Sequence, residues 1–294
     1  WGRSWIGPYH GSRSKLTSID ITPTVAWKIN RCWSVGGSVS AMYAKAELGN
    51  AIDFGALLQQ PQAVDGHVDV TGDDWGFGYG LGVLFEPSRR FRVGLNYRSR
   101  VTQNLTGDAD FQVPGPALPI SAVTGRFRDT DVEADIVFPD QLAVGCAWEV
   151  APRWTLLASV AWTNWSLWRD LRVRFANPAE PDAVSRLDWE DTWRVALGAT
   201  WRPNDRWTLR MGTQWDQSPI QDDTRSPRIP MNDRIWASLG AEYRISRSIS
   251  VSGSYTHLFI AKGDIDQPSI EAGFLNGYVD GVADLFGLQL NWTF

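Results

Sequence analysis

The feature that most constrains this chain is its hydrophobic period. Apolar side chains recur at every second residue, and no apolar run reaches the ~18 residues of a membrane-spanning helix. Trp75, Phe77, Tyr79, Leu81, Val83 and Phe85 carry the clearest case, with Gly76, Gly78, Gly80 and Gly82 between them. The same rhythm runs through Ile19 to Ile29, Phe91 to Tyr97, Trp193 to Trp201, Trp207 to Trp215, Ile235 to Ile245, Ile249 to Tyr255 and Phe286 to Phe294. No comparable stretch has helical period. The chain therefore reads as all-β, with strands apolar on one face and polar or glycine-rich on the other. Helical membrane proteins are excluded, but a membrane barrel is not.

The pattern predicts eleven strands, at roughly 15–29, 33–48, 75–85, 91–107, 131–150, 154–175, 191–201, 207–216, 233–245, 249–260 and 278–294. Short and long connections alternate. The long ones cover roughly 49–74, 108–130, 176–190, 217–232 and 261–277. Tight turns at one end and long loops at the other describe a transmembrane antiparallel up-and-down β-barrel. Trp is unusually abundant, at 17 against 12 Phe and 7 Tyr. Its placement supports the barrel. Trp27 and Trp33, Phe85 and Phe91, Trp148 and Trp154, and Trp201 and Trp207 each straddle a tight turn. Aromatic side chains at every such turn form a girdle at one membrane interface. A soluble sandwich alternates too, but does not need that girdle.

Two irregularities interrupt the pattern. Val132, Ala134, Ile136 and Phe138 keep even parity with Leu142, Val144, Cys146 and Trp148 across Pro139-Asp140, which reads as one long kinked strand. Parity changes between Trp162 and Trp165, which predicts a bulge near Thr163-Asn164. Eleven is odd, whereas single-chain bacterial barrels have even strand numbers, and an open edge in lipid leaves backbone groups unpaired. The single domain 1–294 is thus expected to be an incomplete barrel lacking at least one N-terminal strand. With tight turns toward the periplasm, the C-terminus is periplasmic.

Polar-face positions should line the lumen, among them Arg92, Arg194, Arg210, Arg234 and Glu242. Leu157, Trp236, Leu258 and Leu285 break that polar face. An apolar group there costs hydration unless covered, either by a hydrophobic ligand or by an internal plug. The row Gly76 to Gly82 leaves room for backbone inside the barrel. In the loop at roughly 49–74, Ile52, Phe54, Leu57 and Leu58 form an apolar pattern, fitting either a helix displaying an apolar surface or a hairpin burying it. The net charge of -5 offers no nucleic-acid footprint. Cys32 and Cys146 read as unpaired, and no metal cluster stands out. His10, His67 and His257 are the only imidazoles and form no catalytic arrangement, so an enzyme is not expected.

The chain resembles the FadL family of outer-membrane transporters for long-chain fatty acids and other hydrophobic compounds. The resemblance is carried, in order, by VAWKIN at 25–30, AMYAKA at 41–46, WGFG at 75–78, NYRS at 96–99, DTWRVALG at 191–198, DQSP at 216–219 and RSPRIP at 225–230, leading into DRIW at 233–236. It implies a 14-stranded barrel with an N-terminal hatch, of which this chain lacks the hatch and first three strands. It implies passive uptake of hydrophobic cargo, without cofactor, by a monomer in the bacterial outer membrane, surrounded by outer-membrane lipid. The loop at 49–74 matches the family's capture loop. Phe54, Leu57, Leu58, Leu157, Trp236, Leu258 and Leu285 are then the ligand-binding candidates. The places where fatty-acid members carry basic head-group residues read Asn50 and Glu190, leaving Lys45, Arg186 or Arg194 as substitutes. A general porin for polar solutes is the competing expectation, supported by the arginine-rich lumen.

Overall fold

The computed structural model describes residues 7–269 and 273–293; Trp1 and Phe294 lie outside them. Among the described residues, one antiparallel sheet contains sixteen strands. In chain order they are β1 (Arg13–Ile21), β2 (Thr24–Lys28), β3 (Trp33–Asp53), β4 (Asp65–Ser88), β5 (Phe91–Arg98), β6 (Val101–Gln112), β7 (Thr130–Phe138) and β8 (Gln141–Ala151). Then follow β9 (Trp154–Thr163), β10 (Asp170–Phe175), β11 (Ala183–Arg186), β12 (Thr192–Trp201), β13 (Trp207–Asp216), β14 (Arg234–Arg244), β15 (Ile249–Ser269) and β16 (Gly273–Trp292). Two short helices, α1 (Phe54–Leu57) and α2 (Leu118–Thr124), sit in the long loops. Five wall strands are split in two (β1/β2, β5/β6, β7/β8, β9/β10 and β11/β12) and six are unbroken, which makes eleven, each paired with the next. Among the described residues, β1 and β2 pair only with β3, and β16 only with β15.

The girdle forms by pairing turn-flanking aromatics across neighbouring hairpins. Trp33 meets Phe85 with ring centroids 4.4 Å apart. Trp154 stacks on Trp201 at 5.5 Å, and Trp207 meets Tyr243 at 4.8 Å. Above this belt the outward positions are apolar and exposed, as at Phe77 (75%) and Leu288 (85%), which is the surface a barrel presents to lipid.

The structure corrects several boundaries. Pro23, which has no N–H to give a ladder, separates β1 from β2. The segments expected as loops at 49–74 and 261–277 are mostly hairpin, with β3 and β4 paired out to Asp53 and Asp65 and β15 and β16 out to Ser269 and Gly273. The one-residue bulge expected near Thr163-Asn164 is a larger break, filled by a 3-10 turn at Trp165–Leu167.

The most consequential correction concerns Pro139-Asp140. The strand is indeed continuous, because Arg98 pairs with Gln141 and Val101 with Phe138 in unbroken register. The faces, however, reverse. Val132 and Ile136 are buried, whereas Leu142 and Trp148 on the same parity are exposed. The neighbouring strand breaks at Ser99-Arg100, directly opposite. Its ladder to β4 stops at Gly80–Arg98 and resumes, shifted by one residue, at Asp73–Thr106. One extra residue in a ladder exchanges the two faces of everything beyond it. Over this interval residues 101–103 lie across the inner face of β4. A Cβ on Gly76 would stand 2.5 Å from Val101 Cγ1 and 2.7 Å from the Thr102 carbonyl oxygen. The glycine row thus makes room for the adjacent wall strand.

Candidate functional site

The face reversal gathers apolar side chains inside the loop-bearing half of the barrel. Even positions of β3 and β4 (Ala46, Leu48, Val70) face inward there. Leu105 of β6, Val132 and Ile136 of β7, and Leu171 and Val173 of β10 face them. Together with Leu16, Trp168 and Ile229 they line a half-open cavity of about 100 Å³. That equals the space of about three waters, less than the ~300–1,000 Å³ of drug-sized sites. The cavity therefore accepts a few methylene groups or one small ring without rearrangement. A longer cargo must displace side chains or thread through.

An indole stack walls the cavity toward the loops. The Trp168 and Trp189 rings lie 4.9 Å apart and 8° from parallel, and Trp165 meets Trp189 edge-on at 5.2 Å. The Trp168 indole N–H donates to the Val137 carbonyl, which fixes its ring. Leu187, Ile220, Ile229 and Met231 pack around the stack. Loop 217–232 is pinned by Arg225, which is 1% exposed. Its guanidinium donates to the carbonyls of Ile220, Met231 and Asp264 and pairs with Asp222. Arg228 follows. Its Nη1 donates to the Arg13 carbonyl at 3.1 Å and its Nη2 to Asn50 Oδ1. Burial pushes its pKa down from the usual arginine value, yet a guanidinium remains charged.

The sequence-predicted residues fall in several places. Phe54 is fully buried, at the centre of a cluster with Ala117 and Phe127. Asp53 caps α1 by accepting from the Ala56 and Gln62 amides. Leu57 and Leu58 are exposed beside that cluster, as are Leu118 and Val123 of α2. The loop thus does both things the sequence allowed, burying one apolar side and displaying another. Leu157 lines an open lumenal groove with Leu84 and Arg92, apart from the cavity. Trp236 and Leu258 are ladder neighbours; Leu258 is buried, and Leu285 is half-exposed opposite Thr256.

None of the three basic candidates lines the cavity. Lys45 shares the outward face of β3 with Tyr43, while its neighbours Ala44 and Ala46 turn inward. Arg186 is exposed and pairs with Asp188. Arg194 lies in the ladder between Ala161 and Asp216. Sequence reading missed Leu105, Ile136, Trp168 and Leu171. Val101, Leu105, Ala109 and Phe111 keep the odd parity of the outward run Phe91 to Tyr97, so sequence places them on the lipid face; only the register shift between β4 and β6 turns them inward.

The family model described as outer membrane protein transport protein (OMPP1/FadL/TodX) matches residues 1–294. A long-chain fatty acid transport protein of Salmonella typhi is 30% identical over 309 residues, covering 99% of this chain and 69% of that protein. A Pseudomonas aeruginosa FadL homologue superposes with a TM-score of 0.91 at 23% identity, covering 99% of this chain and 71% of the other. The toluene transporter TbuX of Ralstonia pickettii superposes at 0.61 with 19% identity, covering 95% and 68%. The last two likenesses establish a shared barrel fold.

Proposed function

This chain belongs to the OMPP1/FadL/TodX family of outer-membrane transport proteins, and from that premise we propose that it admits hydrophobic small molecules passively across the bacterial outer membrane. The observation that carries the reading is the largely apolar, half-open cavity lined by Leu105, Ile136, Trp168 and Leu171. Apolar surface moving from water into it gains about 25 cal/mol per Å². The gradient of a sparingly soluble cargo then supplies direction, and no catalytic group or cofactor is needed. The exposed Leu57, Leu58, Leu118 and Val123 support a capture surface at the loop end. The relatives, a long-chain fatty acid transport protein and a toluene transporter, bracket the cargo class.

On this reading the tight turns and the Trp292 end face the periplasm. The edges of β1–β2 and β16 are closed by further wall strands of the protein, since an unpaired edge in lipid leaves its backbone groups without partners. The barrel works as a monomer. The test is uptake by proteoliposomes carrying the full-length protein. Labelled oleate or toluene should enter faster than into empty liposomes, with little steady ion current in planar bilayers. A large steady conductance with no apolar uptake favours a general pore through the polar part of the lumen, where Arg210 pairs with Glu242 and Arg234 with Asp216.

A further inference from the structure

Among the described residues, every tight turn of the wall carries arginine. Arg31 sits in the turn 29–32 between β2 and β3, and Arg89 and Arg90 in 89–90. Arg153 lies in 152–153, Arg202 and Arg206 in 202–206, and Arg247 in 245–248. All seven are exposed. The same turns hold one carboxylate, Asp205, although the chain as a whole carries a net charge of -5. Ion pairing is just as uneven. Ten arginines of the wall and long loops lie within 4.0 Å of a carboxylate, and among the described residues none of the seven turn arginines does.

Backbone hydrogen bonds join these turns side by side. The Glu86 amide donates to the Cys32 carbonyl and the Glu149 amide to that of Arg90, both at 2.7 Å. The Arg202 amide donates to the Arg153 carbonyl at 2.9 Å and the Arg244 amide to that of Arg206 at 2.8 Å. The turn arginines therefore follow one continuous rim, just beyond the aromatic belt of Trp33, Phe91, Trp154 and Trp207. Such a belt sits at the level of the lipid headgroups. Arg206 Nη1 lies 3.5 Å from the Tyr243 hydroxyl, so this side chain leans against the belt. A guanidinium stays charged and forms two parallel bonds to a phosphate. Basic residues at a membrane surface attract anionic lipid. We propose that this rim binds anionic glycerophospholipid, whose phosphodiesters dock on the turn arginines while the acyl chains lie along the indole belt. A single row of short turns suits separate headgroups spaced along the wall. A globular acidic partner needs a broader patch.

The proposal concerns the lipid around the wall and not the cargo; on the orientation given above, that lipid belongs to the periplasmic leaflet. Full-length wild type and three variants are reconstituted in phosphatidylcholine vesicles containing spin-labelled phosphatidylglycerol or spin-labelled phosphatidylcholine. The motionally restricted fraction of each label gives their relative association constant. One variant combines Arg153→Gln, Arg202→Gln and Arg206→Gln, and a second places Lys at the same three positions. The third combines Arg13→Gln, Arg172→Gln and Arg174→Gln, the same change of net charge at the loop end. Wild type should prefer phosphatidylglycerol, and added salt should weaken the preference. The turn Gln variant should lower the preference about threefold or more, the product of three weak exposed ion pairs. The Lys and loop-end variants should keep it. Equal loss in the turn and loop-end Gln variants, or in the Lys and Gln turn variants, overturns the proposal. So does a wild type without preference, which leaves the rim to a soluble acidic partner. No cargo is present, so each of these results leaves the uptake reading untouched.

Discussion

Gly76→Ala is the sharpest test of the inward crossing of residues 101–103. The added methyl would lie 2.5 Å from Val101 Cγ1, 2.7 Å from the Thr102 carbonyl oxygen and 3.0 Å from Gln103 Cγ. Real Cβ contacts are not that short, and one of the three atoms is backbone, so the strand itself must move. Val101 and Gln103 are each 1% exposed, leaving no slack. Overpacking of this kind costs about 1–3 kcal/mol. Gly82 is the internal control. It lies on the same face of the same strand, but its added Cβ meets nothing closer than 3.8 Å. There alanine restricts the unfolded chain and adds about 0.4–1 kcal/mol of stability. The two variants should therefore differ by about 1.4–4 kcal/mol. Urea unfolding of the full-length protein in lipid vesicles, followed by tryptophan fluorescence, measures the gap. Equal stability of Gly76→Ala and Gly82→Ala would refute the crossing, and with it the face reversal that builds the cavity.

Other expectations follow from the same geometry. Ile136→Trp fills a cavity of about 100 Å³ and should lower the rate of apolar uptake several-fold while unfolding occurs at unchanged or higher urea. Arg225→Ala leaves the Ile220, Met231 and Asp264 carbonyls without their donor. At about 1 kcal/mol or more for each lost bond, loop 217–232 should become the first site of limited proteolysis. Phe54→Ala empties the centre of the cluster with Ala117 and Phe127; a loss of about 3–5 kcal/mol should appear as local hydrogen exchange around α1 and α2. Leu57→Asp with Leu58→Asp changes only exposed groups, so stability should hold while capture of dilute cargo weakens, read as a higher half-saturating concentration.

Much of the wall was legible because alternation is a local property. Trp154 and Trp201 are 47 residues apart in number yet announce a shared belt, since each sits at a tight turn; the structure stacks them at 5.5 Å. The eleven wall strands were legible for the same reason. The cavity was not. Parity records which residues share a face, but not which face points inward once a bulge intervenes. Val132 and Ile136 look alike whether they meet lipid or lumen, and opposed breaks at Ser99-Arg100 and Pro139-Asp140 flip both strands of a ribbon together, so their pairing register carries no trace of the change. The Arg228–Asn50 contact joins residues 178 apart in the chain. Neither residue is unusual locally, and only the closing of loop 217–232 over β3 brings them together.

The central claim is that hydrophobic cargo occupies the interior cavity bounded by β3, β4, β6, β7 and β10. Crystals of the full-length protein loaded with a brominated alkanoate, measured at the bromine absorption edge, test it most directly. The account predicts an anomalous peak within van der Waals distance of Leu105, Ile136 or Trp168 when bromine is placed along the chain. Peaks confined to the lipid-facing surface, or to the open groove beside Leu157 and Arg92, would contradict it.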